Sequence, residues 1–455
     1  MYKNSITAVL IVLTLFISAC DKKSDSSSGD TSEKGTDDNK TVVEVTKQPT
    51  LIVMLQYSAP LFQVTESELQ AGFFGTDPGS VNDYFHEVSG GQFTLQPVKD
   101  AGNVRGGVVK VILADAHPNS GSDYNKTQPG IEASIKKISN NGFDFSVYDT
   151  DGDKKISAKE LTLVFVVAGA ESATLDPTAS NNPDGVGALT TYLDNSFVPT
   201  VNGVTLMNQG VGKYFVMGER HYNGSTGTQA TIGIIVHELG HAVFGLPDLY
   251  DTNTSKNGIG SYGLMGMGEW NLADSSQYPG ETPAHLSAWS KIKAGLITPE
   301  TYKPTDSKEI ILYATGTDKY NVVKIEVTKN EYFLIENRGS TGFDRGLGAD
   351  STNTPSKGGV AIWHIDESII AKNPTKPNNN TTHKGIDLEE ADGLESIDNQ
   401  DVDDDLPSTL LYGITVTKFT PTTTPSSKLY DGTDSKVYIT NISTVGSKMT
   451  LHIGK

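Results

Sequence analysis

The sequence predicts an α/β domain built around one amphipathic helix, followed by a β-rich module of sandwich type. Three observations carry that reading. Ile232, Ile235, Val236, Leu239 and Val243 recur at the i, i+3, i+4, i+7 spacing of a helix with one apolar face. Thr50-Leu51-Ile52-Val53-Met54-Leu55 is a short, nearly continuous apolar run, the pattern of a buried strand. Beyond residue 300 the texture changes to two-residue alternation bounded by Gly, Pro, Asn and Asp. Glu309-Ile310-Ile311-Leu312-Tyr313, Val322-Val323-Lys324-Ile325-Glu326-Val327 and Lys436-Val437-Tyr438-Ile439-Thr440-Asn441-Ile442 are examples, and each reads as a strand.

At the start of the chain, Lys3 precedes an apolar run from about Ile6 to Ile17 that ends Ile17-Ser18-Ala19-Cys20. The run is too short to span a bilayer, and small residues stand just before the cysteine. Residues 1–19 resemble a bacterial lipoprotein signal, with Cys20 as the lipid-attachment site and an envelope membrane as the partner of that lipid. An ordinary cleaved signal with an incidental cysteine is the alternative; both take the protein out of the cytoplasm. Cys20 is the only cysteine of 455 residues, so an internal disulfide is excluded. Residues 20–47 are almost free of apolar side chains and are expected to be a flexible tether. A catalytic α/β domain is expected over 48–300, ending in a helix around 283–295, and the β-rich module over 301–455. The roughly 400 residues of the folded part suffice for two or three domains with their own cores. With 36 basic and 55 acidic residues the formal charge is −19, which argues against nucleic acid as a partner.

Asp149-Thr150-Asp151-Gly152-Asp153-Lys154-Lys155-Ile156-Ser157-Ala158-Lys159-Glu160 follows the spacing of a calcium loop. Asp149, Asp151 and Asp153 stand at positions 1, 3 and 5, the carbonyl of Lys155 at 7, and Glu160 at 12. Alternate residues turn inward and the last carboxylate closes the shell. Lys154 occupies position 6, where the pattern wants glycine. The site is expected to hold a structural Ca²⁺; an aspartate-rich surface turn is the alternative.

The most informative stretch is His237-Glu238-Leu239-Gly240-His241. Histidines four apart on a helix share a face, so both imidazoles reach one Zn²⁺, and Glu238 is placed as general base on the attacking water. Thr226 or Thr228 is expected to cap this helix. Gly245 is expected to end it in a left-handed turn, with Pro247 barring its resumption. The chain then folds back to bring Asp248, with Asp251 in reserve, under the metal as third ligand. Three protein ligands leave one position open for water. Ser261-Tyr262-Gly263-Leu264-Met265-Gly266-Met267-Gly268-Glu269-Trp270-Asn271 follows, in which Met265 sits in a glycine-flanked turn resembling the Met-turn that floors the zinc site of metzincin proteases.

HELGHAVFGLPDLYD followed by SYGLMGMGEWN resembles the immune inhibitor A family of secreted bacterial zinc metalloproteases, and the likeness extends over residues from about 50 to 395. It includes Val81-Asn82-Asp83-Tyr84-Phe85 with Val88-Ser89-Gly90-Gly91, and Pro283-Ala284-His285-Leu286-Ser287-Ala288-Trp289-Ser290-Lys291. It also includes Tyr332-Phe333-Leu334-Ile335-Glu336-Asn337-Arg338, Gly359-Val360-Ala361-Ile362-Trp363-His364-Ile365-Asp366 and Leu388-Glu389-Glu390-Ala391-Asp392-Gly393. The resemblance implies a metzincin-like fold and a zinc-dependent endopeptidase acting on protein substrates outside the cytoplasm. The family spacing is HExxHxxGxxD. Here Ala242, Val243 and Phe244 separate His241 from Gly245, so one extra residue has to be absorbed as a bulge or an extended last turn.

Other polar clusters read as structural. Glu336-Asn337-Arg338 and His364-Ile365-Asp366-Glu367 end apolar strands and are expected to form buried hydrogen bonds. Glu389, Glu390 and Asp392 suit a second calcium or a solvated loop equally, and Asp401, Asp403, Asp404 and Asp405 suit exposure. Tyr250 and Tyr262 are both candidates to stabilise the transition-state oxyanion. A catalytically inactive, calcium-stabilised binding or adhesion protein on the same fold is the competing function. The intact glutamate, histidine pair and Met265 turn argue against it.

Overall fold

The computed structural model describes residues 45–176, 182–197, 199–223, 226–252, 258–347, 358–399 and 410–455. The signal segment, Cys20, most of the tether and Asp401 to Asp405 lie outside the described residues.

The strand Thr46–Gln56 is the spine of an eight-stranded sheet. Thr162–Glu171 pairs along one edge of it in parallel. Phe93–Pro97 and Val108–Ile112 line up end to end along the other edge. Tyr214–Asn223 continues the parallel order beyond Thr162–Glu171, and two short antiparallel strands, Leu189–Thr191 and Thr226–Gln229, flank it. A parallel strand covered on both faces needs apolar side chains on both, which is why the first strand reads as a run rather than an alternation. Ile52 and Met54 enter the core that holds the HExxH helix, whereas Leu51, Val53 and Leu55 face the helix Gln128–Asn140 on the opposite side.

The region after residue 300 contains two sheets. Glu300–Tyr302, Val322–Glu326, Glu331–Arg338, Gly359–Asp366 and Ile386–Leu388 form the larger one; Lys308–Tyr313, Lys448–Ile453 and Ile439–Thr440 form the smaller. Alternation sorts the larger sheet's side chains between two cores. Phe333, Ile335, Val360 and Ile362 pack against Ile310, Leu312, Met449 and Leu451 of the smaller sheet, which makes the sandwich. Leu334, Ala361, Trp363 and Ile365 face the other way, into the same core as the HExxH helix. The α/β region and the β-rich region therefore share a hydrophobic core, and residues from Glu44 onward form one compact unit.

Two local expectations are corrected. Thr226 and Thr228 do not cap the HExxH helix, because both belong to the strand Thr226–Gln229; the N-cap is Thr231. Its hydroxyl is spent on the Pro279 carbonyl at 2.7 Å rather than on a helix N–H. The helix expected around 283–295 is shorter, Ala288–Lys293, with Ser287 as its side-chain cap. No helix among the described residues is long and apolar enough to cross a membrane.

Candidate metal centre

The HExxH helix runs Ile232–Phe244. Leu239 and Val236 are fully buried, and this anchoring turns His237, Glu238 and His241 to the rim of the core, where His237 and Glu238 remain 3% and 7% exposed. Gly245 adopts φ +64°, and its N–H reaches back five residues to the Gly240 carbonyl instead of four. The N–H of Leu246 shares that carbonyl. This widened last turn is where the extra residue between His241 and Gly245 is taken up.

Beyond the turn the chain doubles back and brings Asp248 to the histidines. Nε2 of His237 and Nε2 of His241 are 3.1 Å apart, and Oδ1 of Asp248 lies 3.3 Å from the first and 3.2 Å from the second. The outward nitrogens decide what these contacts are. Nδ1 of His237 stands 3.0 Å from the Leu264 carbonyl, and Nδ1 of His241 stands 2.6 Å from the Leu246 carbonyl. A carbonyl only accepts, so each Nδ1 carries the hydrogen and each Nε2 presents a lone pair. Three acceptors thus point at one another with no hydrogen between them. A carboxylate oxygen of Glu238, Oε2, is buried beside them without a hydrogen-bond partner. Such a set is strongly repulsive alone and is satisfied by a cation, so the donor set fits Zn²⁺. Asp251 is also buried.

The field at the centre favours positive charge: burial works against charge on His237, yet Glu269, Asp248 and Glu238 together push its pKa up to about 10, so without a metal a proton would take the place that a bound cation fills. Glu269, which sequence reasoning did not single out, is buried with its Oε2 3.3 Å from His237 Nδ1. Burial pushes Glu269 itself up to about 7 against the opposing pull of His237. Its only signal in the sequence is its place directly behind the glycine-rich turn.

Met265 lies beneath the helix, 1% exposed, with its sulfur against Gly240. Its carbonyl accepts the Leu249 N–H at 2.7 Å, which ties the turn to the segment carrying Asp248. On the other side, the Thr190 hydroxyl donates to the Glu238 carbonyl at 2.8 Å and fastens the strand Leu189–Thr191 to the helix. Tyr250 has its pKa raised by burial and by Asp248, Glu269 and Glu238, and its hydroxyl is hydrogen-bonded to Asp248. Tyr262 is buried, and its carbonyl is bound by Arg338.

The expected calcium loop brings carboxylate oxygens of Asp149, Asp151 and Asp153 within 4.8 Å of one another. Lys154 takes φ +65° at the sixth position, the left-handed conformation that glycine ordinarily supplies there. The two oxygens of Glu160 receive the backbone and hydroxyl groups of Thr150 and of Ser157, at 2.8–3.0 Å.

A helix-borne histidine pair with an adjacent free glutamate, an aspartate returned by a glycine turn and a methionine floor define a zinc metalloendopeptidase. The sequence model described as "Immune inhibitor A peptidase M6, catalytic domain" matches residues 10–296, and the chain belongs to this family. No curated protein matches. Two crystal structures of wild-type OgpA from Akkermansia muciniphila are similar at 13% identity. One match covers 65% of this chain and 72% of that one with a TM-score of 0.28; the other covers 71% and 85% with a TM-score of 0.29.

Proposed function

We propose that His237, His241 and Asp248 hold the zinc of this extracytoplasmic endopeptidase and that Glu238 is its general base. The observation that carries the ligand set is the meeting of three lone-pair atoms within 3.1–3.3 Å, each nitrogen fixed by a backbone carbonyl behind it. When bound, zinc supplies Lewis acidity toward a water molecule and the scissile carbonyl. Glu238 takes the proton from the attacking water on Oε2, its unpartnered oxygen, and returns it to the leaving nitrogen. With each Nδ1 hydrogen committed to a carbonyl, His237 and His241 would offer Nε2 to the metal as neutral imidazoles. Tyr250 is the tyrosine we assign to the developing oxyanion, since its hydroxyl already stands in the Asp248 environment.

The finer readings of cofactor and location belong to the same proposal. The Asp149–Glu160 loop takes a structural Ca²⁺, with Asp149, Asp151, Asp153, the Lys155 carbonyl and Glu160 as the ligand set. Cys20 carries a lipid that holds the enzyme to a bacterial envelope membrane. Proteins or peptides are the substrates.

Casein cleavage by the purified protein, with and without 1,10-phenanthroline, tests the central reading alongside Glu238→Ala. Cleavage is expected to stop with the chelator and to fall at least about 10²–10⁴-fold in the variant, with zinc content unchanged. Retained turnover in zinc-loaded Glu238→Ala would sink the assignment of the base.

A further inference from the structure

The geometry points to a role for the β-rich region inside the zinc site: we propose that the buried Arg338–Asp344 pair is a positioning device for the zinc ligand His237, acting through the Met265 turn. The inference rests on the ligand set assigned above.

Arg338 ends the strand Glu331–Arg338 and is 1% exposed; Asp344 is fully buried. Nε and Nη2 of Arg338 donate to Oδ2 and Oδ1 of Asp344 at 2.8 and 2.7 Å, a two-pronged pairing that fixes the plane of the guanidinium. The remaining prong, Nη1, donates to the Tyr262 carbonyl at 2.5 Å. Asp344 also acts on the turn from its other end. Its Oδ1 accepts the His285 N–H at 3.0 Å, and the His285 carbonyl accepts the Leu264 N–H at 3.1 Å. The carbonyl of Leu264 is the group that accepts from His237 Nδ1.

One ion pair therefore holds Tyr262 and Leu264, the two residues that bracket Gly263, and Leu264 orients the imidazole. Asp344 is itself held by the Thr315 hydroxyl at 2.6 Å. The frame extends to Glu87, whose Oε1 meets His285 Nε2 at 2.7 Å and accepts the Phe343 N–H at 2.8 Å. Arg338, Asp344 and Thr315 all lie beyond residue 296, where the family match ends. Lysine cannot replace the arginine at such a site, because an ammonium lacks the fork that grips Asp344 while a third donor reaches Tyr262.

The test uses the whole protein and three variants, each checked for folding by near-ultraviolet circular dichroism. Zinc affinity is read by chelator competition and ligand geometry by the visible spectrum of the Co²⁺-substituted protein. Arg338→Lys is expected to fold, to bind zinc about 10–100-fold more weakly and to shift the Co²⁺ bands. Leu312→Ala, which loosens the distant core between the two C-terminal sheets, is expected to lower the melting temperature and leave zinc affinity unchanged. A folded Arg338→Lys with wild-type affinity and spectrum overturns the inference. If that variant does not fold, Thr315→Val decides: several-fold weaker zinc binding supports the inference, and wild-type affinity overturns it. A wild-type protein that takes up no zinc overturns the ligand set itself, which separates the two failures.

Discussion

Gly240 and Met265 are in such close contact that a single carbon added to the glycine would stand 2.7 Å from the methionine sulfur. Alanine at a helix-interior glycine ordinarily gains about 1 kcal/mol. Here the overpacking cost of about 1–3 kcal/mol opposes that gain, and Met265 is too deeply buried to swing aside. Gly240→Ala is expected to lower stability by up to about 2 kcal/mol in urea titrations. A gain in stability would show that the turn yields freely, and the floor would then be a soft one.

Asp248 stands 3.3 and 3.2 Å from the Nε2 atoms of His237 and His241 and is the third ligand we propose. Asp248→Ala is expected to weaken zinc binding by more than the roughly 10–100-fold that loss of an outer-shell partner costs, because on the proposed ligand set it would remove a ligand atom. Asp251→Ala is expected to leave zinc affinity within a few-fold of wild type. Equilibrium dialysis of both variants reads the difference, and the reverse ranking would transfer the third-ligand role to Asp251.

The calcium proposed for the aspartate loop would carry a thermodynamic signature. At a free concentration near 100 times its dissociation constant, one Ca²⁺ adds about 2.7 kcal/mol to stability. The melting temperature is expected to rise with Ca²⁺ and to stop responding in Asp149→Asn, which reduces the charge of the first ligand. An undiminished response in that variant would place any calcium elsewhere.

His364 makes the β-rich region sensitive to alkaline pH. It is 3% exposed, with Nδ1 3.2 Å from Glu389 and Nε2 3.2 Å from Glu331, and Tyr430 stacks on its ring. Burial works against its charge, but Glu331 and Glu389, with Asp387 behind them, push the pKa up to about 9. A raised folded-state pKa gives stability that is whole below pH 6.5 and is lost as pH rises through 9. The loss is expected to be at most roughly 3 kcal/mol. Chemical denaturation at pH 6, 7.5 and 9 should show this slope in the wild type and a flatter one in His364→Gln; equal slopes would assign it to another group.

What could be read from the sequence was local. The helical spacing of Ile232 to Val243, the left-handed Gly245 and the first strand depend on residues within a turn or two of each other. The division of the larger C-terminal sheet between two cores could not be read, because Tyr332-Phe333-Leu334-Ile335 and Val360-Ala361-Ile362-Trp363 are continuous apolar runs. The helix cap could not be read, because Thr226 and Thr228 were already committed to pairing with Tyr214–Asn223. Arg338 was expected to make buried hydrogen bonds, but its partner carbonyl lies 76 residues upstream, a distance over which periodicity carries no signal. Glu269 was hidden for the same reason: a glutamate after a glycine turn looks exposed until the helix is laid over it.

The bond from Phe343 to Glu87 closes a loop of 256 residues, and the Arg338 contact to Tyr262 closes another. Contacts of this span form late, since the chain entropy of the loop is lost before the contact returns anything. In a chain made N-terminus first, His237 and His241 therefore come about a hundred residues before Arg338, whose bond to Tyr262 can close only once all of them have been made.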